Sequence, residues 1–445
     1  MNRIRLTATI MGMAAAALAA SAQTPDSTRW SLERCIEYAI DNNISIKKQL
    51  LQVETEQNNL LNARLQRYPT VSGNAYYNAA FGRVANPTTY EVSNITTHYS
   101  SVGVDASMPI FAGMQISNSI KRQKLTLENA RIGVEMAKND LNVNIAVAYL
   151  QVLLDRELLD LARRQVEISR QQTDNADAKV KAQLIAQGEL MELQSQLSKE
   201  AMQLTQQENA LSLSRLALAQ MLDLPGTDGF DIQSIDAPEL SANATASADD
   251  IYAAALQTQP RIRNYQNMVE DSEYALRIAR GALCPTLALT GGWSTNTSYM
   301  DGMQNYSLSS DLKDNSSCHI GLSLNVPIFS GLDARTKVRN AKVGIESAQL
   351  SLDNERLTLR KEVQQAYADA NNALRKYFSA KDAVASYGES FAYTQRKFDA
   401  GLATSLDLNT AKNELTRAES EMLQAKYEYL LRSKIIDFYM GKPIY

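Results

Sequence analysis

The side chains that most often carry chemistry are scarce in this sequence: two histidines, His98 and His319, and three cysteines, Cys35, Cys284 and Cys318. A histidine works as a general base or metal ligand when a second polar group is brought to it. A cysteine works as a nucleophile, a disulfide partner or a metal ligand. Here the histidines stand far apart, and no cysteine pair has disulfide or metal-like spacing. The cysteines are expected as small buried side chains. No GxGxxG, P-loop, HExxH or GxSxG motif occurs. These residues predict no enzyme, no cofactor and no metal.

The elements around them say more. Arg3 and Arg5 precede an apolar, alanine-rich run from Ile10 to Ala20, and Ala20-Ser21-Ala22 follows. A charged start, an apolar run of about 7–15 residues and a small-residue cleavage site predict a secretory signal peptide over residues 1–22. Removing it takes two arginines and no acids, so the net charge moves from −4 to −6. That balance argues against nucleic acid, which needs a basic face. No later stretch approaches about 18 consecutive apolar residues, so no transmembrane helix is expected. Membrane strands leave a weaker signal and stay open.

An internal duplication organises the rest. Arg67-Tyr68-Pro69-Thr70 returns as Leu283-Cys284-Pro285-Thr286, an offset of 216. Met108-Pro109-Ile110-Phe111-Ala112-Gly113 returns as Val326-Pro327-Ile328-Phe329-Ser330-Gly331, an offset of 218 that holds to the C-terminal end. A period this long is two tandem copies of one folding unit, not a solenoid. The expected organisation is a first repeat over 23–225, a joint over 226–249 rich in Asp, Ser, Ala and Gly, and a second repeat over 250–445.

Proline is absent from Ile110 to Leu224 and from Ile328 to Lys442. A proline costs about 3 kcal/mol inside a helix, so these gaps predict long helices. Met114 to Val180 and Leu332 to Phe398 are 67 residues each, roughly 100 Å of helix. Returning helices are expected over Glu189 to Leu222 and Asp407 to Met440. Leu190, Leu197, Leu204, Leu211 and Leu218 recur every seven residues, as do Leu408, Leu415, Met422, Tyr429 and Ile436. That period means left-handed, coiled-coil-like packing. A second row from Leu193 continues as Glu200, Gln207 and Ser214, so a plain zipper fails. Ser31 to Gln66 and Ala248 to Ala282 are expected as helices of about half the long length.

Between the helices each copy alternates. Val71, Gly73, Ala75, Tyr77, Ala79 and Phe81 form one row; Val102, Val104, Ala106 and Met108 form a second. Leu287, Leu289 and Trp293 form a third, and Ile320, Leu322, Leu324 and Val326 a fourth. Period two predicts strands with one apolar face, of about ten residues, the depth a tilted strand must cross. Tyr76, Tyr77, Tyr90, Tyr99, Trp293, Tyr299 and Tyr306 lie near them, as interfacial girdles require. The connections, about Gly82 to Thr97 and Thr295 to Ser317, are polar. Four strands cannot sit in lipid as an open sheet, because their edge N–H and C=O groups lack partners there. Other copies must close the barrel, with eight strands in a dimer or twelve in a trimer.

The pattern resembles the TolC-type outer-membrane efflux protein family over nearly the whole chain from Trp30 to Pro443. The duplicated unit, the Tyr-Pro-Thr and Pro-Ile-Phe-Ser-Gly junctions, and Lys397-Phe398-Asp399-Ala400-Gly401-Leu402-Ala403-Thr404-Ser405-Leu406-Asp407-Leu408 carry the resemblance. It implies a mainly α protein with a transmembrane β-barrel: a homotrimer whose twelve strands, four per protomer, continue into a long periplasmic α-helical barrel. It also implies a passive exit duct in the outer-membrane lipid, docking to a periplasmic adaptor (membrane fusion) protein and, through it, to an RND- or ABC-type inner-membrane pump. Adaptor contact falls on the hairpin tips, at Gln183, Leu184 and Gly188 in the first copy and Gly401, Leu402, Thr404 and Ser405 in the second. Gln183 departs from the family's glycine. The resemblance also implies acids ringing the pore entrance, for which Glu189, Glu192 and Asp407 are the candidates; Thr410 stands where the family often has another acid.

Two other classes compete. A periplasmic adaptor would carry one hairpin between compact β-domains, not two equal copies. A structural coiled-coil envelope protein would lack the alternating strands.

Overall fold

The computed structural model describes residues 29–85, 90–234, 247–301 and 307–444. The expected signal peptide and Tyr306 lie outside them. In chain order the elements are β1 (Arg29–Trp30), α1 (Leu32–Asn42), α2 (Ile44–Leu65), β2 (Thr70–Ala85), β3 (Val92–Ala112), α3 (Gln115–Lys181), α4 (Gln187–Met221) and β4 (Asp231–Ile232). There follow α5 (Ala248–Thr258), α6 (Pro260–Gly281), β5 (Thr286–Met300), α7 (Leu308–Asp314), β6 (Ser317–Asn325), α8 (Asp333–Asp399) and α9 (Ser405–Tyr439).

The long helices α3 and α8 have 67 residues each, and the returning helices α4 and α9 have 35 each. The half-length helices differ from expectation, since each is two helices of 11 and 22 residues. The break falls at equivalent positions by different means. Asn43 Oδ1 accepts from the Ser45 and Ile46 amides at 2.9 and 3.2 Å, capping α2. Gln259 is extended because Pro260 follows it, and Pro260 opens α6, where its missing N–H is harmless.

Two compact units can be distinguished. One takes the chain up to Lys47, Met136–Gln259 and everything from Thr358 on. Its largest core gathers Cys35, Ile36, Ala39, Ile145, Tyr149, Leu153, Leu218, Phe230 and Ile232, with Trp30 packed against it. Burying each large aliphatic there stabilises by about 1.5–3 kcal/mol. The strands β1 and β4 pair in parallel beside this core. The Tyr149 hydroxyl donates to the Gln233 carbonyl at 2.7 Å, and Arg156 donates to the Ile232 carbonyl at 3.0 Å while pairing with Asp231. The stretch 226–249 was expected as a surface joint. In its described part Phe230 and Ile232 are core residues, because two apolar side chains in a short polar segment leave no periodicity to read.

The second unit, Lys48–Glu135 with Pro260–Leu357, holds a four-stranded antiparallel sheet in the order β2-β3-β5-β6. Gly73 pairs with Val104, Val104 with Trp293 and Leu289 with Leu322. Paired residues share a face, so this register gathers all four apolar rows on one side. The other side carries Asn74, Asp105 and His319, with glycines making room. A Cβ on Gly103 would lie 2.8 Å from Asn74 Oδ1, and one on Gly292 would lie 2.8 Å from Asp105 Oδ1.

Three strands are longer than the expected ten residues, β2, β3 and β5 at 16, 21 and 15, whereas β6 has 9. Part of each connection, Val92 to Thr97 and Thr295 to Met300, is strand, and α7 fills another part. Those extensions are polar on both faces, so alternation does not reveal them; their Thr, Ile and Tyr content does favour strand. Pro109 lies within β3, where a register shift between Pro109 and Phe111 spares its missing donor.

The cysteine expectation needs correction. Cys35 is fully buried, but Cys284 is half-buried and Cys318 is exposed on β6. Among the described residues β6 pairs with β5 alone.

Candidate functional site

The hairpin ends are built from the last turn of a long helix, a short bend and the first turn of a returning helix. Both copies make the same bend. In the first, the Gln183 amide donates to the Val180 carbonyl at 2.9 Å and the Leu184 amide to Lys179 at 2.9 Å. In the second, Gly401 donates to Phe398 at 3.0 Å and Leu402 to Lys397 at 2.8 Å. This closure needs a left-handed residue. Gly401 takes φ +75° freely; Gln183 takes φ +60° with a side chain attached, at a cost of about 1 kcal/mol.

The starts of the returning helices differ more. Thr404 caps α9: its Oγ1 accepts from the Asp407 amide at 3.1 Å, and Asp407 Oδ2 accepts from the Thr404 amide and hydroxyl at 3.0 and 2.8 Å. The Thr404 amide and hydroxyl thereby hold the Asp407 carboxyl below the usual aspartate range. In the first copy Ala186 occupies the cap position and offers no side-chain bond. Glu189 is half-buried in the first turn of α4.

Leu184, Leu402 and Leu406 are 73, 76 and 62 % exposed, an apolar group on the two ends. Gly188 is exposed as well. Behind them Ala176, Leu190, Leu193, Phe398 and Leu408 form a small core shared by both hairpins. Ser405 is not on the surface: it is buried, and its hydroxyl donates to Glu192 Oε2 at 2.5 Å. Glu192 therefore bonds across to the second hairpin, and Asp407 is engaged in a cap. Only Glu189 of the three candidate acids has a carboxylate without such a described side-chain partner.

The sequence reading missed a buried charge nearby. Lys412 is 1 % exposed. Its Nζ lies 2.7 Å from Glu200 Oε1 and bonds the Ser169 hydroxyl. Burial lowers the Lys412 pKa, and Glu200 opposes the shift. Gln196 donates to Glu200 at 2.8 Å and to Asn413 at 3.2 Å, so α3, α4 and α9 meet in a polar layer. One signal was present. The row that fails as a zipper after Leu193 fails at Glu200, the residue that holds Lys412.

The histidines do not meet. His98 Nδ1 lies 2.5 Å from the Tyr77 hydroxyl and Nε2 3.2 Å from Asp301, on the apolar-row side of the sheet, whereas His319 is on the polar side. Among the described residues no cluster of His, Cys, Asp and Glu could hold a metal ion.

Comparison with known proteins matches residues 35–223 and 251–442 to the family described as "Outer membrane efflux protein". The outer membrane efflux protein BepC of Brucella suis biovar 1 is 21 % identical over 403 residues, 89 % of this chain and 82 % of BepC. The alkaline protease secretion protein AprF of Pseudomonas aeruginosa is 25 % identical over 310 residues, 68 % of this chain and 61 % of AprF. The solved Campylobacter jejuni CmeC outer membrane channel superposes with a TM-score of 0.75 at 19 % identity, covering 92 % of this chain and 85 % of CmeC.

Proposed function

The chain belongs to the outer membrane efflux protein family, and from that premise we propose that three copies close one duct across the bacterial outer membrane. The protein is a channel component, not an enzyme. Its fold is that of the outer-membrane channels, a membrane β-sheet joined to long helices, and it serves as an exit duct for efflux or secretion.

One observation carries the closed-barrel reading: a four-stranded sheet with a single apolar face, whose outer strands β2 and β6 are each paired on one edge alone among the described residues. In hydrocarbon each unpaired backbone group costs several kcal/mol, so the edges must meet those of other copies. Three copies supply twelve strands. The polar side, with Asn74, Asp105 and His319, then faces a wet lumen. In this reading residues 1–22 are removed on export, 23–225 and 250–445 are the two repeats, and 226–249 joins them at mid-height.

The exposed hairpin ends are suited to a periplasmic adaptor, through Gln183, Leu184, Gly188, Gly401, Leu402 and Thr404. The adaptor in turn links the duct to an RND- or ABC-type pump. Ser405, being buried, supports the end from behind. Glu189, Glu192 and Asp407 are proposed to give the entrance a negative field that favours cations. AprF's name refers to protease secretion and BepC's to efflux, and both cargo classes suit one passive duct.

Detergent extraction of membranes followed by electrophoresis of unboiled samples tests the assembly. A detergent-stable trimer is expected, and a water-soluble monomer overturns the proposal. For the acids, single-channel currents of a Glu189, Glu192 and Asp407 to Ala variant should lose cation preference. Unchanged selectivity removes them from the filter.

A further inference from the structure

Three helices of one compact unit leave a space between them. Residues of α3, α4 and α9 line a cavity of about 240 Å³, room for roughly eight waters at ~30 Å³ each. Its wall is of two kinds. Leu158, Leu161, Ala162 and Met202 are apolar, whereas Gln165 and Glu200 bring polar ends. The row that fails as a zipper after Leu193 supplies part of this wall, through Glu200 and then Gln207.

The bonds of Glu200 are lopsided. Lys412 Nζ and the Gln196 side-chain amide, at 2.7 and 2.8 Å, both go to Oε1. Glu200 Oε2 is buried and has no partner. Gln165 is 7 % exposed, and its Oε1 is likewise buried without a partner. Asn413 also borders the space, but its Oδ1 already accepts from Gln196 at 3.2 Å. Lys199, which is exposed, borders it too and serves neither free oxygen. Among the described residues, the buried unpaired side-chain atoms of this wall are therefore two acceptors and no donor. A buried acceptor without a donor is costly, and a carboxylate oxygen more so.

We propose that this space binds a primary alkylammonium, a short aliphatic chain ending in a protonated amine. The ammonium brings three N–H donors and a charge, where a hydroxyl brings one donor and no charge. Its bond to a carboxylate is about twice as strong as a neutral one. Both free oxygens sit on end groups whose last torsion is soft, so a small turn presents each to the space. The aliphatic chain lies along Leu158, Leu161 and Met202. An occupant touches α3, α4 and α9, and so ties the two hairpins together behind their ends. The site requires neither the closed barrel nor the entrance acids of the reading above.

Isothermal titration calorimetry on the full-length, detergent-extracted protein tests this, with hexylammonium chloride and n-hexanol as probes and detergent alone as the blank. Hexylammonium should bind at one site per chain, and n-hexanol about tenfold or more weakly, since it has the same chain without the charge. Ala162→Phe fills the space and should abolish binding. Gln165→Leu should weaken hexylammonium roughly fivefold and leave n-hexanol unchanged. Circular dichroism and light scattering check that each variant keeps its helices and its mass; if Ala162→Phe does not, Gln165→Leu decides alone. Equal binding of the two probes would mean a plain apolar hole and overturns the proposal. Hexylammonium binding that survives Ala162→Phe lies elsewhere and overturns it as well. So does a protein that binds neither probe, whose space then holds water only.

Discussion

The two hairpin ends are copies of one bend held to different degrees. The second has a glycine at the left-handed position and a reciprocal Thr404–Asp407 cap. The first forces Gln183 into the same conformation and begins its returning helix at Ala186 without a cap. Identical backbone geometry therefore sits on unequal local stability. The contrast teaches that, after duplication, shared packing beneath the ends allows one copy to lose its local fastenings. The first end is therefore the one that unfolds locally at lower cost.

The comparison breaks if the shared polar layer alone sets the stability of both ends. Glu200→Ala leaves Lys412 buried without its carboxylate and should destabilise by about 3–5 kcal/mol. Amide exchange should accelerate at both ends alike. The double replacement Lys412→Met with Glu200→Leu should recover most of the loss, since a well-packed apolar pair substitutes for a buried ion pair. If Glu200→Ala loosens only one end, the layer is not shared.

Local changes should then separate the ends. Thr404→Ala should cost about 1 kcal/mol, roughly fivefold faster exchange confined to the first turn of α9. Ala186→Ser should slow exchange in the first turn of α4 by up to a similar factor. Gln183→Gly should stabilise the first bend by a somewhat smaller amount, about 0.5–1 kcal/mol, leaving the second untouched. Equal responses at both ends would show that the bends are not independent.

Acid gives the smallest and most selective test. Because the folded Asp407 pKa lies below its ordinary 3.8, the cap's contribution is fully present above that value. It is lost as pH falls through the folded value. Exchange protection at the start of α9 should therefore stay level from neutral pH down to the ordinary aspartate range, and fall only beneath it. Loss of protection near pH 6 would exclude Asp407 as the titrating group.

Much of this was legible in the residues. The proline-free gaps placed the long helices within one residue, because a single interior proline is so costly that its absence over a hundred positions is informative. The alternating rows placed the four strands. What escaped notice has a physical reason in each case. The one-residue breaks at Asn43 and Gln259 hardly disturb a 3.6-residue period, although Pro260 marked one of them. The strand extensions carry polar residues on both faces, Thr295 and Thr297 being buried beside α7, so no alternation marks them. Lys412 reads as a surface lysine because partners on two other helices bury it, and no property of its own segment records them. The role of Ser405 was hidden likewise, since Glu192 lies 213 positions away.

The seven-residue stripe of α9 has a consequence that its regularity conceals. Leu408, Leu415, Met422, Tyr429 and Ile436 repeat one spacing, and of the five only Leu408 is buried, so the stripe by itself does not tell one seven-residue register from the next. The lysine between them is the tooth that indexes it. A shift one way would bring Ser405 opposite Glu200 and leave the carboxylate without a cation. A shift the other way would bring Glu419 there and set two acids face to face. A rod of repeating steps is thus held at one of them by a buried ammonium group, with the Ser405–Glu192 bond beside it.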